Sequence, residues 1–584
     1  MLHALLAVLL LAQATPPPTP PALASPMPSE APAPAASPSP TASPAPGISP
    51  TPPGPHLTLS VQTLQLNPAQ QQTVLVSGAS PPLSVTSEQK LVTASADPDA
   101  TSVTIAATQA TGSDVVHLVD ANGATADISV RVAFDAGTIS PQATLLVTGS
   151  PADPAWLAAQ VGALVGRLTR AMPGTQATIG TPAPPASPLL PGVQTQFSVP
   201  VSVTSPDDRY FNVNGTTSVN VQNVAVEPFQ PSLLFYDDDP EHVESDGVLF
   251  RGTIAAAQPT RLYYYHDDGA DPRRIVVMLS TAAAAPTRVQ VIDATAGPNM
   301  DVMTVGNAVT REYLELQPRE EGLIFDLTSS APLTLHDVPL TSKQLVAGSV
   351  DLRVLEGGPV VVTVMAVSPG VDPVTMLDAP LVPGDGHHRT GVFALADYGS
   401  ETLNYAAGGP DAQTVIGQTT PPLADPTAAP SSDPQGDPRQ GGHDYGDYGV
   451  LHQIAATLSN PLDTPADAWI YLKPTAGVDR ATFLVDGGLV QLGCVRVPTP
   501  YQVAAFTLAP HQSYLVQVET MTDGGSFYPV EVGVTGSAPQ PTAPPISAPD
   551  GCFPKPEPEA STPPPSPASS PSPGAPTPSP EPSP

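Results

Sequence analysis

Residues 115–132 read VVHLVDANGATADISVRV, and this stretch decides the fold class of the chain. Apolar and polar side chains alternate on both sides of a central Asp-Ala-Asn-Gly turn, as they do in strands that bury one face. The dipeptide Asn122-Gly123 is typical of a type I′ hairpin turn, in which both central residues need a positive φ. The stretch therefore predicts a β-hairpin.

Short alternating runs of the same kind precede the hairpin and are separated by turn residues. Together with the hairpin they give about seven strands in residues 57–134, which suits an Ig-like β-sandwich. These runs cover residues 57–61, 73–76, 83–85, 91–93 and 103–105.

The two runs that flank Asn122-Gly123, residues 115–120 and 128–132, make this segment similar to bacterial Ig-like modules. Such modules occur in surface proteins and at the N-termini of some pilus-assembly and secretin proteins. The resemblance covers residues 57–134. It implies a secreted spacer or adhesion module rather than a catalytic domain.

The rest of the body divides into segments of different composition. Residues 135–226 predict a small α+β domain, because apolar residues recur at helical spacing in one predicted helix over residues 154–172. Residues 227–417 and 443–553 contain many short alternating runs and predict two further β-sandwiches. The Pro-, Asp- and Gly-rich stretch 418–442 predicts a linker. The expected fold class is mainly β, a multidomain array of Ig-like and other β-sandwiches with one small α+β domain.

Both ends of the chain are rich in proline. Residues 15–56 contain 17 Pro and residues 554–584 contain 14. Segments with so few large apolar side chains cannot bury enough surface to offset ordering entropy, so we expect two disordered tails. The apolar run before them, which ends in Ala12-Gln13-Ala14, predicts a signal peptide over residues 1–14. The protein is therefore expected to be exported to the periplasm, the cell surface or the extracellular space.

The charge of the chain restricts its partners. The formal net charge is −33, from 53 acidic and 20 basic residues. An acidic surface repels phosphate groups, so we expect binding neither to nucleic acid nor to anionic lipid. The sequence contains no run of 18 apolar residues, so it predicts no transmembrane segment.

The chain contains two cysteines, Cys494 and Cys552. Export places them in an oxidising compartment, where a pair is usually bridged. We therefore expect a disulfide between them, with two buried thiols as the alternative.

Acidic side chains cluster at two places in the predicted middle sandwich. Clustered loop carboxylates supply the oxygens that Ca²⁺ requires, so a calcium site at a domain junction is one hypothesis. The alternative is a solvated acidic loop whose carboxylates cap turns. The candidate ligands are Asp237, Asp238, Asp239, Glu241, Asp267 and Asp268.

A second candidate metal site would join two Gly-rich loops. His387 and His388 lie in the first loop, and His443 lies in the second. Two histidines and a carboxylate from different loops are a ligand set for Zn²⁺ or a similar transition-metal ion. The alternative is that these histidines are surface residues in turns.

Three consecutive tyrosines, Tyr263, Tyr264 and Tyr265, lie in a predicted strand. Side chains alternate across a strand, so Tyr263 and Tyr265 share one face and Tyr264 occupies the other. Either face could form part of a sugar-stacking surface, while the other packs into the core.

The sequence contains no GxSxG, HExxH, P-loop, CxxC or GxGxxG motif. We therefore expect a noncatalytic structural or adhesion-type protein of the cell envelope or extracellular space, with no cofactor unless Ca²⁺ binds. Its β-sandwiches would bind an envelope polymer, a glycan or a protein partner. Two alternatives stay open: a calcium-dependent or carbohydrate-binding secreted module, and a secreted metal-dependent hydrolase.

Overall fold

The computed structural model describes residues 57–256, 258–269, 271–385, 388–400, 402–417, 423–424, 443–444, 446–541 and Cys552. The predicted signal peptide, both proline-rich tails and all of the predicted linker except residues 423–424 lie outside the described residues. The described part of the chain is built from many strands and two α-helices, so the prediction of a mainly β, multidomain protein is confirmed. No helix in this part is long and apolar enough to cross a membrane.

The described residues form two compact units. The first comprises residues 57–64, 71–106 and 114–130, and the second comprises residues 65–70, 107–113 and the described residues from 131 onwards. The strands in and at the margins of the first unit are β1 (Thr58–Leu59), β2 (Thr63–Leu66), β3 (Gln71–Ser77), β4 (Ser84–Ser87), β5 (Val92–Ala96), β6 (Ser102–Ala107), β7 (Gly112–Val119) and β8 (Thr125–Val132).

These eight strands form two four-stranded sheets, in the orders β1-β3-β6-β5 and β2-β8-β7-β4. Alternate side chains of both sheets are buried, as they are in a β-sandwich. Examples of these buried residues are Val74, Val103, Ile105, Val116, Leu118, Ile128 and Val130. The predicted sandwich is therefore present in residues 57–132.

The hairpin between β7 and β8 differs from the predicted type I′ turn. The loop covers residues 120–124, and Gly123 has a φ of +80° whereas Asn122 is not among the residues with positive φ. Asp120 organises the loop, because its Oδ1 accepts the backbone N–H groups of Asn122 at 2.9 Å and Ala124 at 2.8 Å. The side chain of Asp120 thus replaces the tight two-residue turn.

The next segment carries one helix among short strands. Helix α1 begins after Asp153, whose Oδ1 accepts the N–H groups of Ala155 and Trp156 at 2.8 and 3.0 Å. It ends at Leu168 rather than at the predicted residue 172, because the following residues pair with β9 as strand β11. The elements are β9 (Gly137–Thr138), β10 (Gln142–Thr148), α1 (Pro154–Leu168), β11 (Arg170–Ala171), β12 (Gln176–Ile179), β13 (Gln194–Thr204) and β14 (Val213–Asn223).

The middle sandwich follows. Its larger sheet has the order β21-β20-β23-β18-β15-β25 and faces a second sheet, β17-β24-β19-β22, across one apolar core. The larger sheet continues through a β21–β10 pairing into the strands around α1, so this small α+β segment does not close a sheet of its own. The strands are β15 (Leu233–Asp237), β16 (His242–Val243), β17 (Gly247–Ile254), β18 (Thr260–Asp268), β19 (Arg273–Ser280), β20 (Thr287–Asn299), β21 (Gly322–Leu327), β22 (Leu333–Leu340), β23 (Leu345–Glu356), β24 (Val360–Val367) and β25 (Thr390–Phe393).

The C-terminal sandwich begins earlier in the chain than predicted. Residues 397–416 were predicted to belong to the middle sandwich, but they pair with β31 and β37 of the C-terminal one. The two main sheets have the orders β26-β31-β36-β33-β34 and β28-β37-β32-β35, and β27 also pairs with β31. The strands are β26 (Asp397–Gly399), β27 (Leu403–Ala406), β28 (Ala412–Ile416), β29 (Leu423–Ala424), β30 (His443–Asp444), β31 (Leu451–Ser459), β32 (Ala466–Pro474), β33 (Val478–Val485), β34 (Gly488–Arg496), β35 (Tyr501–Leu508), β36 (Ser513–Met521) and β37 (Val530–Thr535).

The sequence analysis did not predict a second helix, α2 (Val302–Leu316), which joins the middle and C-terminal sandwiches. Its buried residues Val305, Val309 and Tyr313 recur at helical spacing, and Asp301 caps its first turn. The helix packs on β20 and β23 of the middle sandwich and on β33 of the C-terminal one. The predicted disulfide between Cys494 and Cys552 is also present, and it ties the end of the described chain to β34.

Candidate functional site

A cavity of about 460 Å³ lies at the junction of the middle and C-terminal sandwiches, beside the start of α2. Six of its lining residues are aromatic and four are ionisable, a combination typical of small-molecule sites. The lining residues are Tyr236, Asp238, Glu241, Tyr263, Tyr265, Val302, His388, Arg389, Tyr448, Gly524, Gly525, Ser526, Phe527 and Tyr528. We call this space the tyrosine cavity.

The floor of the tyrosine cavity is fixed by strand register. Strand β15 pairs in parallel with β18, which places Tyr236 directly beside Tyr263. Their rings are stacked with centroids 5.6 Å apart, and the ring of Tyr448 stacks on Tyr263 at 6.4 Å. Tyr264 points the other way and is fully buried in the core of the middle sandwich. The predicted division of the three tyrosines between two faces is therefore confirmed.

Glycines allow the wall from the C-terminal sandwich to approach this floor. A Cβ atom on Gly524 would lie 2.8 Å from a ring carbon of Tyr265, and one on Gly306 of α2 would overlap the carbonyl oxygen of Gly524. Neither position has room for a side chain without movement of backbone or ring. The loop at residues 523–528 can therefore lie against both α2 and the tyrosines.

The rim is polar and brings together two clusters that the sequence analysis treated separately. His388 lies with its Nε2 2.5 Å from Glu241 Oε2, and with its Nδ1 2.7 Å from Asp385 Oδ2. The hydrogen bonds to Glu241 and Asp385 raise the pKa of His388 to about 10. His388 is therefore an imidazolium near neutral pH, and it neutralises part of the acidic rim.

Two carboxyl groups near the floor have pKa values raised well above the usual range. For Asp238 the cause is burial, reinforced by the charge of Glu241, and its Oδ2 accepts a hydrogen bond from the Tyr236 hydroxyl at 3.2 Å. For Asp444 the cause is burial, reinforced by the charge of Asp447. Both groups therefore hold their protons to a higher pH than an exposed aspartate, and a protonated carboxyl can donate a hydrogen bond.

The structure disperses most of the predicted calcium ligands. Asp237 is fully buried with its Oδ2 3.1 Å from His266 Nε2, and Asp268 is buried near Arg273. The Oδ1 of Asp239 accepts the backbone N–H of Asp385. These carboxylates therefore face different partners and do not form one oxygen cage.

Glu241 and Asp267 are the two predicted ligands that do come together, and His242 joins them. Among the described residues, these three form the one group of three or more metal-ligating side chains whose ligand atoms all lie within 4.8 Å of one another. Of the predicted histidine ligands, His387 and the side chain of His443 lie outside what the structure describes. His388 is described, and it contacts Glu241.

Sequence reasoning missed Tyr448, Phe527, Tyr528 and Arg389 as site residues. They lie in loops that reach the cavity from the C-terminal sandwich or from the segment before β25, far along the chain from Tyr236 and Tyr263. No local pattern in the sequence connects these segments. An aromatic residue in a Gly-rich loop, as in Gly524-Gly525-Ser526-Phe527-Tyr528, was the available signal.

A second polar cavity of about 230 Å³ lies between α1, α2 and the larger sheet of the middle sandwich. Asp293, His336 and Tyr264 form a chain there, with His336 Nε2 2.7 Å from Asp293 and Nδ1 2.8 Å from the Tyr264 hydroxyl. Burial raises the pKa values of Glu312 and Glu321, which also line the cavity, to about 7. A third cavity, of about 480 Å³ on β10, β13 and β14, has no titratable or aromatic lining residue.

No family model and no curated protein matches this sequence. Solved structures match parts of it. The human mucin-like protocadherin EC1-2 is 12% identical, with 29% of this chain and 100% of that chain covered and a TM-score of 0.11. SGBP-B of the Bacteroides ovatus mixed-linkage glucan utilization locus, in complex with a mixed-linkage heptasaccharide, is 11% identical. The match covers 54% of this chain and 76% of that chain, with a TM-score of 0.14. The Yersinia pseudotuberculosis adhesin InvE is 10% identical, with 35% of this chain and 68% of that chain covered and a TM-score of 0.12. These TM-scores are too low to carry fold or function to this chain.

Proposed function

We propose that this protein is an exported, noncatalytic binding protein of the adhesion type, which holds a neutral carbohydrate in the tyrosine cavity. The single observation that carries this proposal is the lining of that cavity. Tyrosine rings form its floor, and paired acidic and basic groups form its rim. A few oriented polar groups over an aromatic surface are how proteins fix a small polar ligand.

The charge of the lining favours a neutral ligand over an ion. Glu241 faces His388, and Asp238 lies beside Arg389, whose backbone carbonyl accepts the Asp238 N–H at 3.0 Å. Two acidic and two basic residues therefore line the cavity, so its lining carries little net charge. Tyrosine hydroxyls, carboxyl groups and a guanidinium together offer both donors and acceptors to the hydroxyl groups of a sugar.

The protonation of the rim supports binding rather than acid–base catalysis. A general base works best with a pKa near the operating pH. His388, with a pKa of about 10, is protonated at neutral pH, and Glu241 is held in an ion pair with it. His388 is therefore not poised to exchange protons with a substrate near pH 7. The protonated His388 therefore favours a binding protein over a hydrolase that would use this residue as its general base.

Binding can be tested with the purified chain and a panel of oligosaccharides that includes neutral, acidic and amino sugars. Phe527 is suited to substitution because it lines the cavity and is 46% exposed. We expect Phe527→Ala to weaken binding of a neutral oligosaccharide about tenfold, which is ~1.4 kcal/mol. The matched control is Phe134→Ala, since Phe134 is 47% exposed and does not line the cavity.

Three results would contradict the proposal. The first is that no oligosaccharide in the panel binds, and the second is that only charged sugars bind. The third is that Phe527→Ala and Phe134→Ala bind equally well. Export is tested separately by N-terminal sequencing of the native protein, which should begin at Thr15. A mature chain that retains residues 1–14 would contradict export.

A further inference from the structure

Glu241, His242 and Asp267 converge at the edge of the middle sandwich, next to the rim of the tyrosine cavity. Their ligand atoms lie within 4.8 Å of one another, and His242 Nδ1 is 2.6 Å from Asp267 Oδ1. One imidazole nitrogen and two carboxylate groups therefore lie close enough together to share one ion. That set of atoms matches first-row divalent metals, which accept nitrogen and oxygen ligands together.

The backbone holds these three residues in place. Strand β16 pairs in parallel with the end of β18, and this register sets His242 opposite Asp267. The backbone N–H of Asp267 donates to the carbonyl of Glu241 at 2.8 Å. Main-chain pairing thus fixes the backbone positions of all three residues relative to one another.

Two further features lie next to the cluster. His388 reaches the group from a distant loop, and its Nε2 lies 2.5 Å from Glu241, so a second imidazole stands next to the cluster. Its ring centroid is 6.4 Å from that of His242. In addition, Asp238 Oδ1 is enclosed and accepts no hydrogen bond from any described residue, although its carboxyl interacts electrostatically with both Glu241 and His388. One enclosed acceptor close to Glu241 is therefore left without a donor among the described residues.

We propose that Glu241, His242 and Asp267 bind one divalent transition-metal ion of the Zn²⁺ class, with water completing its coordination. Such ions take tetrahedral sets of histidine and carboxylate ligands at about 2.0–2.2 Å. Ca²⁺ takes six to eight oxygens, and here one of the three protein ligands is an imidazole. The inference does not depend on which ligand the tyrosine cavity holds.

The chain contains a matched contrast to this cluster. His117 also contacts two carboxylates, but its Nε2 faces Glu88 and its Nδ1 faces Asp127, each at 2.7 Å. Carboxylates on opposite ring nitrogens cannot share one ion with that imidazole. His117 therefore has the composition of a metal site without its geometry.

The test is calorimetric titration of the EDTA-treated full chain with Zn²⁺ and, separately, with Ca²⁺. We expect the wild-type protein to bind one Zn²⁺ per chain. His242→Ala should bind Zn²⁺ at least tenfold more weakly than the wild type, and His117→Ala should bind it with the wild-type affinity. His242 is 64% exposed, so its replacement leaves no buried cavity. As a second readout, the visible absorption of bound Co²⁺ should be lost in His242→Ala and in Asp267→Asn.

Each of three results would overturn the inference. These are the absence of stoichiometric Zn²⁺ binding, tighter binding of Ca²⁺ than of Zn²⁺, and an equal loss of Zn²⁺ affinity in His117→Ala and His242→Ala. Failure of oligosaccharide binding would leave the metal inference standing, and failure of Zn²⁺ binding would leave the proposed carbohydrate site standing.

Discussion

Arg261 and Asp351 form a fully buried ion pair, with Arg261 Nε 2.8 Å from Asp351 Oδ1 and both side chains 0% exposed. Arg261 also donates to the carbonyls of Ala396 at 2.7 Å and Gly449 at 3.1 Å. It lies on β18 of the middle sandwich, two residues before Tyr263, whereas Ala396 and Gly449 precede β26 and β31 of the C-terminal sandwich. One guanidinium therefore binds both sides of the junction that contains the tyrosine cavity.

Replacing Arg261 with methionine should destabilise the protein strongly. Removal of one partner leaves Asp351 as a buried, uncompensated charge, which costs about 3–5 kcal/mol. Chemical denaturation followed by circular dichroism should show a lower midpoint for unfolding of the second compact unit.

The control for Arg261→Met is Arg288→Met. Arg288 pairs with Asp326 at 2.8 Å, but the two side chains are 36% and 48% exposed. Exposed pairs contribute about 0–1 kcal/mol, so this variant should unfold close to the wild type. Equal destabilisation by the two substitutions would contradict the role given to the buried pair.

Gly306→Ala should disturb the tyrosine cavity without changing any residue that lines it. The new methyl group would overlap the carbonyl oxygen of Gly524, so the loop that carries Phe527 must move. We expect weaker oligosaccharide binding and reduced stability. The control is Gly166→Ala in α1, where an added Cβ meets nothing within 4 Å and should stabilise the helix by up to about 1 kcal/mol. Unchanged binding by Gly306→Ala would contradict this account of the wall.

Features that depend on local patterns could be predicted from the sequence. The period of two along residues 57–134 predicted the N-terminal sandwich, and the same alternation placed Tyr264 in the core and Tyr263 on the opposite face. The hairpin was predicted with the wrong turn type, because the side chain of Asp120 accepts the backbone N–H groups of Asn122 and Ala124 in the loop. The turn propensities of Asn and Gly do not reveal that a side chain, rather than a backbone carbonyl, accepts these hydrogen bonds.

Helix α2 shows where local reasoning fails. Its spacing of Val305, Val309 and Tyr313 is helical, but a glycine and several β-branched residues lower its intrinsic helix propensity. Packing between two sandwiches stabilises the helix, and that packing is not visible in the sequence. The candidate site is a similar case, since Glu241 and Asp385 are 144 residues apart yet connected by a hydrogen bond.

The protein should lose stability as the pH rises from about 4 to 8. Burial raises the pKa of Asp479 to about 8 and that of Asp523 to about 7, and both side chains are fully buried. A raised carboxyl pKa means that the folded state binds more protons than the unfolded state, so this contribution is complete below the unfolded pKa of 3.8 and is lost as the pH approaches 8. Thermal melting should show that Asp479→Asn flattens the fall in Tm over this range.

The control for the pH dependence is Asp326→Asn, which should behave in the opposite sense. The hydrogen bond from Arg288 lowers the pKa of Asp326. The contribution of Asp326 to folding stability is therefore present at neutral pH and is lost as the pH falls through the pKa of the folded state. Asp326→Asn should therefore be slightly less stable than the wild type at pH 7 and equal to it at strongly acidic pH. A wild-type Tm that rises between pH 4 and 8 more than that of Asp479→Asn would contradict the assignment.

The disulfide should stabilise the C-terminal sandwich. Cys494 and Cys552 are 58 residues apart, and the chain-entropy model gives a loop of that length about 4 kcal/mol. The double variant Cys494→Ser/Cys552→Ser should unfold at a lower denaturant concentration. Wild-type protein treated with a reducing agent should match it. An unchanged midpoint for the double variant would show that the bridge does not restrict the unfolded chain.

The measurement that tests the central claim most directly is a crystal structure of the full chain with the oligosaccharide that binds most tightly. We predict density for a sugar ring in the tyrosine cavity, in contact with Tyr448 or Phe527 and within hydrogen-bond distance of Asp238 or Arg389. A sugar bound at another surface, or a cavity without sugar at a saturating concentration, would contradict the account.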